Sequence, residues 1–342
     1  MERPRRNVNR EEGTTMSSER ARTLSRTVPR LVTAEDLERQ IASLRRTSTN
    51  PQAGLFGPQS VVWRIDREAI TFLGAGRALL LQLAHPWVAA AVAAHSRAFA
   101  DPIGRFHRTF HVVFTMVFGT VDQAFDMARR LHRRHATITG VLPSSAGPFL
   151  AGSPYWANDT ATLRWVHMTL MDTALTIHEL MFGPLSVEDR AQYYAESCRL
   201  AALFGIPRDH LPEDWSGFAA EMAAMLDSPV LTVSREAHTV ARRIFAAPIL
   251  SMRLPAWYLD LTAEFMPPRL REGFELDYGV AARRRAARAL VHIRWLYPRL
   301  PARLRHVGPY QEAVARLAGK SAPGAGVRLL NRIWIGRPRL GM

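Results

Sequence analysis

From residue 60 onward, apolar side chains recur every three to four positions and the breaks fall at Gly or Pro, the period of helices that hide one stripe. Thr33 with Asp36 predicts an N-cap and a short amphipathic helix reaching residue 44. Thr120 with Gln123 makes a capping box, and the helix it opens is expected to reach 139, where Gly140 suits a left-handed stop. Asp101-Pro102 starts another helix. Asn158 or Asp159 caps a long one ending at Gly183-Pro184, and Ser186 with Asp189 opens the next, which stops at Gly205. Helical periods continue over 214–226, 230–245, 255–262, 269–297 and 312–318. No alternating strands bounded by turn dipeptides and no internal repeat are legible. The expected architecture is all-α: a single multi-helix domain over 33–300, with a flexible N-terminal tail (1–32) and a basic C-terminal extension (301–342).

The most apolar stretch lies within 74–140, which also holds six histidines and several arginines. Its longest apolar run, 78–94, is interrupted by Gln82, His85 and Pro86 and is shorter than a membrane span requires. It reads as a buried helix or helix pair with His85 at the junction. The balance of 47% apolar to 22% charged residues is that of a soluble globular chain. Cys198 is the single cysteine, so neither an intramolecular disulfide nor a cysteine-based zinc site can form within one chain, and a reducing, cytoplasmic setting is expected. Arg5-Arg6 is followed by no apolar segment of the kind an export signal needs.

Net charge is +15, but from Arg283 onward 14 Lys or Arg face one acid, Glu312, so this segment carries +13 of it. The body is near neutral, which argues against a fold built to wrap nucleic acid. The basic segment interleaves Arg with Leu, Val, Trp and Tyr. It fits an amphipathic helix lying on the domain, on an anionic membrane surface or on RNA.

Three groups of side chains bear on chemistry. Arg105, Arg108 and Thr109 share one face of the helix that starts at Asp101-Pro102, while Phe106, Phe110, Val113 and Val117 make an apolar one. These arginines either grip an anionic group such as a haem propionate or pair with carboxylates at the domain edge. The histidines fall at 132 and 135, at 107 and 111, and at 167 and 178. A haem needs one neutral imidazole presented from a helix into an apolar slot, and several of these would serve. His135, one turn before a helix end, is either such a ligand or a capping residue. His107 and His111 have the spacing of two zinc ligands but lack the glutamate base of a metalloprotease helix, and no Glu-x-x-His occurs. Dinucleotide, Walker and nucleophile-elbow motifs are absent from the sequence.

The segments GRALLLQLAHPWVAAAVAAHS, DPIGRFHRTF, HRRHATITG, YWANDTATLRWVHMTL and GPLSVEDRAQYYAE, in this order, resemble the MpaB-type oxygenase and rubber oxygenase family over roughly residues 58–245. The resemblance implies a helical fold with a globin-like core and a haem b whose iron is held by one proximal histidine. By motif, His135 matches the proximal ligand, with His167 second. Arg105, Arg108 and Thr109 match the arginine, lysine and threonine places of the haem-pocket helix. Arg108 stands where the rubber oxygenase has a lysine, and a guanidinium stays protonated and ligates iron poorly, so an open or water-ligated distal side is expected. The resemblance therefore implies a haem-dependent oxygenase, mono- or dioxygenating, that takes dioxygen and a small apolar, olefin-like substrate, with Arg108 and Thr109 catalytic. The alternatives are a non-enzymatic haem- or ligand-binding protein and a surface binder acting through the basic tail.

Overall fold

In the computed structural model, described over residues 29–95, 101–247 and 253–341, local capping chemistry places most helix starts where the sequence puts them. Helix α1 (Ala34–Thr47) begins at a Thr33–Asp36 capping box. Ser60 caps α2 (Val61–Asp66), and α3 (Ala75–Leu83) follows a 3-10 turn at Ala69–Gly74. The long apolar run is indeed a helix pair: α4 (Pro86–His95) begins at Pro86, and the chain bends by 102° across Ala84-His85. Leu80, Leu81, Leu83, Ala84 and Ala89 in this pair are fully buried, and no single described helix is long and apolar enough to cross a membrane.

Asp101 caps α5 (Pro102–Phe118) by accepting the Gly104 N–H at 2.7 Å, and the Thr120–Gln123 box opens α6 (Val121–Ala136). Here the sequence reading needs correction. Helix α6 ends at Ala136, and Gly140 is part of strand β1 (Thr139–Val141), which pairs antiparallel with β2 (Pro154–Trp156). A side chain at Gly140 would collide with the Tyr155 hydroxyl, its Cβ falling 2.5 Å away, so cross-strand packing selects this glycine.

The centre of the fold is α7 (Thr160–Phe182), capped by Asp159. It meets α3 through Trp165 Nε1–H donating to the Leu81 carbonyl (3.0 Å), Gln82 donating to Thr169 (3.1 Å), and Arg77 reaching Thr173 (2.7 Å) and Asp172 (2.7 Å). On another side it meets α8 (Val187–Leu203), where the Tyr193 hydroxyl donates to the Met171 carbonyl at 3.4 Å. Gly74 lets the 3-10 turn press on α7, because a Cβ there would lie 2.4 Å from Thr173 Cγ2.

Further on come α9 (Trp215–Asp227), α10 (Arg235–Ala246) and α11 (Ala256–Glu264). Helix α10 starts at its Ser234 cap, four residues later than the period over 230–245 predicts, and it packs on α4. The period over 269–297 is broken into α12 (Pro268–Gly273) and α13 (Val280–Leu296), with Glu275 at a φ of 52° in the link. Such a φ is unfavourable for a non-glycine residue inside a helix.

The termini also differ from simple tails. The expected flexible segment lies mostly outside the described residues, but Arg30 accepts two hydrogen bonds from Thr160, and the buried Val32 packs over Gly205. Residues 301–342, read from sequence as a basic extension, contain α14 (Ala302–Arg305), α15 (Gly308–Leu317) and α16 (Ala325–Ile335). Val307, Ala313, Ile335 and Leu340 from this segment belong to the main core. The buried Val307, Ile335 and Leu340 each contribute about 1.5–3 kcal/mol. Sixteen α-helices and one two-stranded sheet make up the described fold, so the all-α expectation stands.

Candidate functional site

Helices α5 and α6 are joined through Gly119-Thr120 and pack along one another. The return of the chain brings the start of α5, with Arg105, Arg108 and Thr109, toward the end of α6, with His132 and His135. A second tie supports this placement. His95, the last residue of α4, bonds through Nε2 to the Thr139 carbonyl at 3.0 Å, and Arg134 donates to the His95 carbonyl at 3.5 Å. Asp101 is six positions after His95, a reach of at most about 20 Å.

The three polar residues of α5 are not equivalent. Arg105 is half-buried, and burial followed by the nearby Arg108 charge pushes its pKa down. Arg108 and Thr109 are exposed, and Arg108 forms an ion pair with Asp101 at 3.0 Å. The carboxylate-pairing reading therefore describes Arg108, and of the three only Arg105 turns partly inward.

His135 is half-buried, and its flanking Arg133 and Arg134 are exposed. Burial, then His132 and Arg134, lowers its pKa to about 4, so the imidazole is neutral and keeps a lone pair at neutral pH. His132 is also held below its ordinary value, chiefly by burial, and its Nδ1 lies 3.5 Å from Asn158 Nδ2. His167 sits elsewhere, on α7, 2% exposed, with its ring 6.2 Å from that of Phe204. Burial lowers its pKa to about 4, and its buried Nδ1 has no hydrogen-bond partner. Buried polar atoms are nearly always paired, so this nitrogen stands out. The two candidate ligands thus face different neighbours and do not form one pair.

His107 and His111 are accounted for structurally. Nε2 of His107 lies 3.1 Å from the Ile333 carbonyl and that of His111 2.9 Å from the Leu340 carbonyl, so both rings tie α5 to the C-terminal segment. Phe72, Phe106, Phe110 and Trp334 build an aromatic stack over the same helix, with Phe72 centroids 4.4 Å from Phe110 and 4.3 Å from Trp334. Trp165 is not part of this wall, being committed to Leu81.

The surroundings of two further groups, His85 at the helix junction and Asp66, could not be read from the sequence. His85, caught between Phe149 and Trp87, is buried with an unpartnered Nδ1, and burial lowers its pKa to about 4. Asp66 has a carboxyl pushed up to about 7 by burial and then by Glu196. Its partner is far away in the chain, so no local motif marks it.

Among the described residues no three His, Cys, Asp or Glu side chains gather as a multi-ligand metal site. A haem draws on a single protein imidazole, and a neutral His135 or His167 has the donor chemistry that such a group would need. Two surface cavities of about 290 and 230 Å³ lie elsewhere, the first beside Glu312 and Arg316, the second beside Tyr194 and Cys198.

Residues 62–295 match the family model described as ER-bound oxygenase mpaB/B'/Rubber oxygenase, catalytic domain. No curated protein and no solved structure matches the chain.

Proposed function

Because the chain belongs to the mpaB and rubber oxygenase catalytic-domain family, and so is an oxygenase, an enzyme of the oxidoreductase class, we propose that it works with haem b on a small apolar, olefin-like substrate and dioxygen. The observation that carries the cofactor reading is the neutral imidazole of His135 at the end of α6, with the half-buried Arg105 brought toward it by the α5–α6 return. When bound, haem iron would supply the activation of dioxygen.

The chain's own residues have separable tasks in this reading. His135 holds the iron because its lone pair is not taken by a proton. Arg105 would hold a haem propionate, because guanidinium and carboxylate form charge-assisted hydrogen bonds. Phe106 and Phe110 present apolar surface to the substrate and keep water out. Arg108, which is paired with Asp101, and Thr109, one residue on, would supply hydrogen-bond donors to dioxygen. His167 is the second reading for the iron ligand, favoured by its unpartnered buried Nδ1.

Dioxygen uptake by the haem-loaded chain, measured with and without unsaturated hydrocarbons of increasing length, tests the activity. Uptake that rises with an alkene and yields an oxygenated product is expected. Haem-loaded protein that consumes no dioxygen with any member of the series would favour the non-enzymatic binding alternative.

A further inference from the structure

Helix α13 is held to the body by one side only. Ala282 and Ala286 are buried, and Arg285 reaches back to Asp260 on α11 at 2.7 Å. The opposite side carries Val280, Arg284, Ala287, Val291 and Trp295, spaced by three or four residues and all exposed, so they form one outward stripe. Val291 is 67% and Trp295 61% exposed, and Leu304 just beyond the helix is 66% exposed. Isolated apolar side chains at a surface are ordinary, but a stripe of them with a tryptophan is the mark of a contact face.

The charge around the stripe fixes its sign. Arg284 lies within it, Arg288 and Arg294 flank it, and the Arg299 guanidinium sits 4.7 Å from the Trp295 ring centroid. The single acid from Arg283 onward, Glu312, is spent on the Asn331 side chain (2.6 Å) and the Leu340 N–H. Nothing in this segment of sequence therefore offsets the positive field of the stripe with an exposed carboxylate.

We propose that the α13 stripe docks the protein onto the anionic surface of a lipid bilayer. Val291 and Trp295 enter the boundary between headgroups and acyl chains, while the arginines meet lipid phosphates and keep their stems along the apolar surface. An RNA would satisfy the arginines and stack on Trp295 but gives no reason for the aliphatic Val280, Val291 and Leu304 to face outward, so the bilayer is the better match. Docking would place an oxygenase beside a phase in which apolar substrates dissolve. The inference is independent of the haem reading, because bilayer binding is measured without cofactor or turnover.

The test is co-sedimentation of the full chain with phosphatidylcholine vesicles, with and without phosphatidylserine. The wild type should sediment with the anionic vesicles and not with the neutral ones. Val291→Ser with Trp295→Ser, and separately Arg288→Glu with Arg294→Glu, should each lower the partition constant by about tenfold or more. Arg288→Lys with Arg294→Lys should keep most of the binding and serves as the folding control. Equal sedimentation of the wild type and both disruptive variants would overturn the proposal. Binding that the serine pair leaves intact and an RNA oligomer competes away would also overturn it, and would assign the stripe to polyanions instead.

Discussion

Replacing His85 by phenylalanine should make the protein resist acid. The imidazole is 5% exposed, its ring centroid lies 5.3 Å from that of Phe149 and 6.2 Å from that of Trp87, and its buried Nδ1 has no partner. Burial alone lowers its pKa from 6.5 to about 4. The unfolded chain therefore binds a proton at this site between those values and the folded chain does not. Stability rises with pH through that window and is lost as pH falls from about 6.5 toward 4. The full difference corresponds to about 3 kcal/mol, of which about 2 kcal/mol should disappear between pH 7 and pH 5. Asp66 acts in the opposite direction. Its folded pKa is raised to about 7, so the stability it confers is present at low pH and is lost as pH rises through 7. The pH dependence of the wild type is thus a mixture, and the wild-type-to-variant difference isolates His85. Urea unfolding followed by circular dichroism at pH 7 and pH 5 measures it. The stability advantage of His85→Phe should grow by about 2 kcal/mol at the lower pH. An advantage that is the same at both pH values would refute the claim that this ring is buried and neutral.

Other consequences follow from contacts that span the chain. Glu68, buried, receives hydrogen bonds from Tyr297 and Arg305 at 3.0 Å each and lies 3.3 Å from His306. Glu68→Ala leaves Arg305 without its carboxylate and should cost about 3–5 kcal/mol in denaturant unfolding. Gly54 has a φ of 75° and no room for a Cβ, which would lie 2.3 Å from the Gly119 carbonyl oxygen. Gly54→Ala should therefore lower stability by at least about 2 kcal/mol, read from the thermal midpoint. Trp334→Ala removes the ring stacked 4.3 Å from Phe72 and should cost about 2 kcal/mol, with faster proteolytic release of the α16 segment.

The helix starts were legible because capping is local. Thr33, Asp101, Thr120, Asp159 and Ser186 each accept a hydrogen bond from a backbone N–H three residues on, so sequence spacing alone exposes them. What was not legible depends on distant partners. Gly140 looks like a helix stop until Tyr155 is brought beneath it by the β1–β2 pairing. His107 and His111 resemble metal ligands until α16 and the end of the chain supply carbonyls from residues 333 and 340. The site was legible in the same partial way. The motif order located α5 and α6, and the return at Gly119-Thr120 brings His135 and Arg105 toward each other. Side-chain exposure then separates Arg105 from Arg108 and Thr109, a distinction that helical spacing cannot make because all three share one face.

The most direct test of the central claim is the visible absorption spectrum of the purified chain supplied with haem, beside His135→Ala and His167→Ala. A Soret band is expected in the wild type and in His167→Ala that is lost or shifted in His135→Ala and restored by added imidazole. A Soret band unchanged in His135→Ala and abolished in His167→Ala would move the ligand to α7. No Soret band in the wild type after haem reconstitution would contradict the cofactor reading altogether.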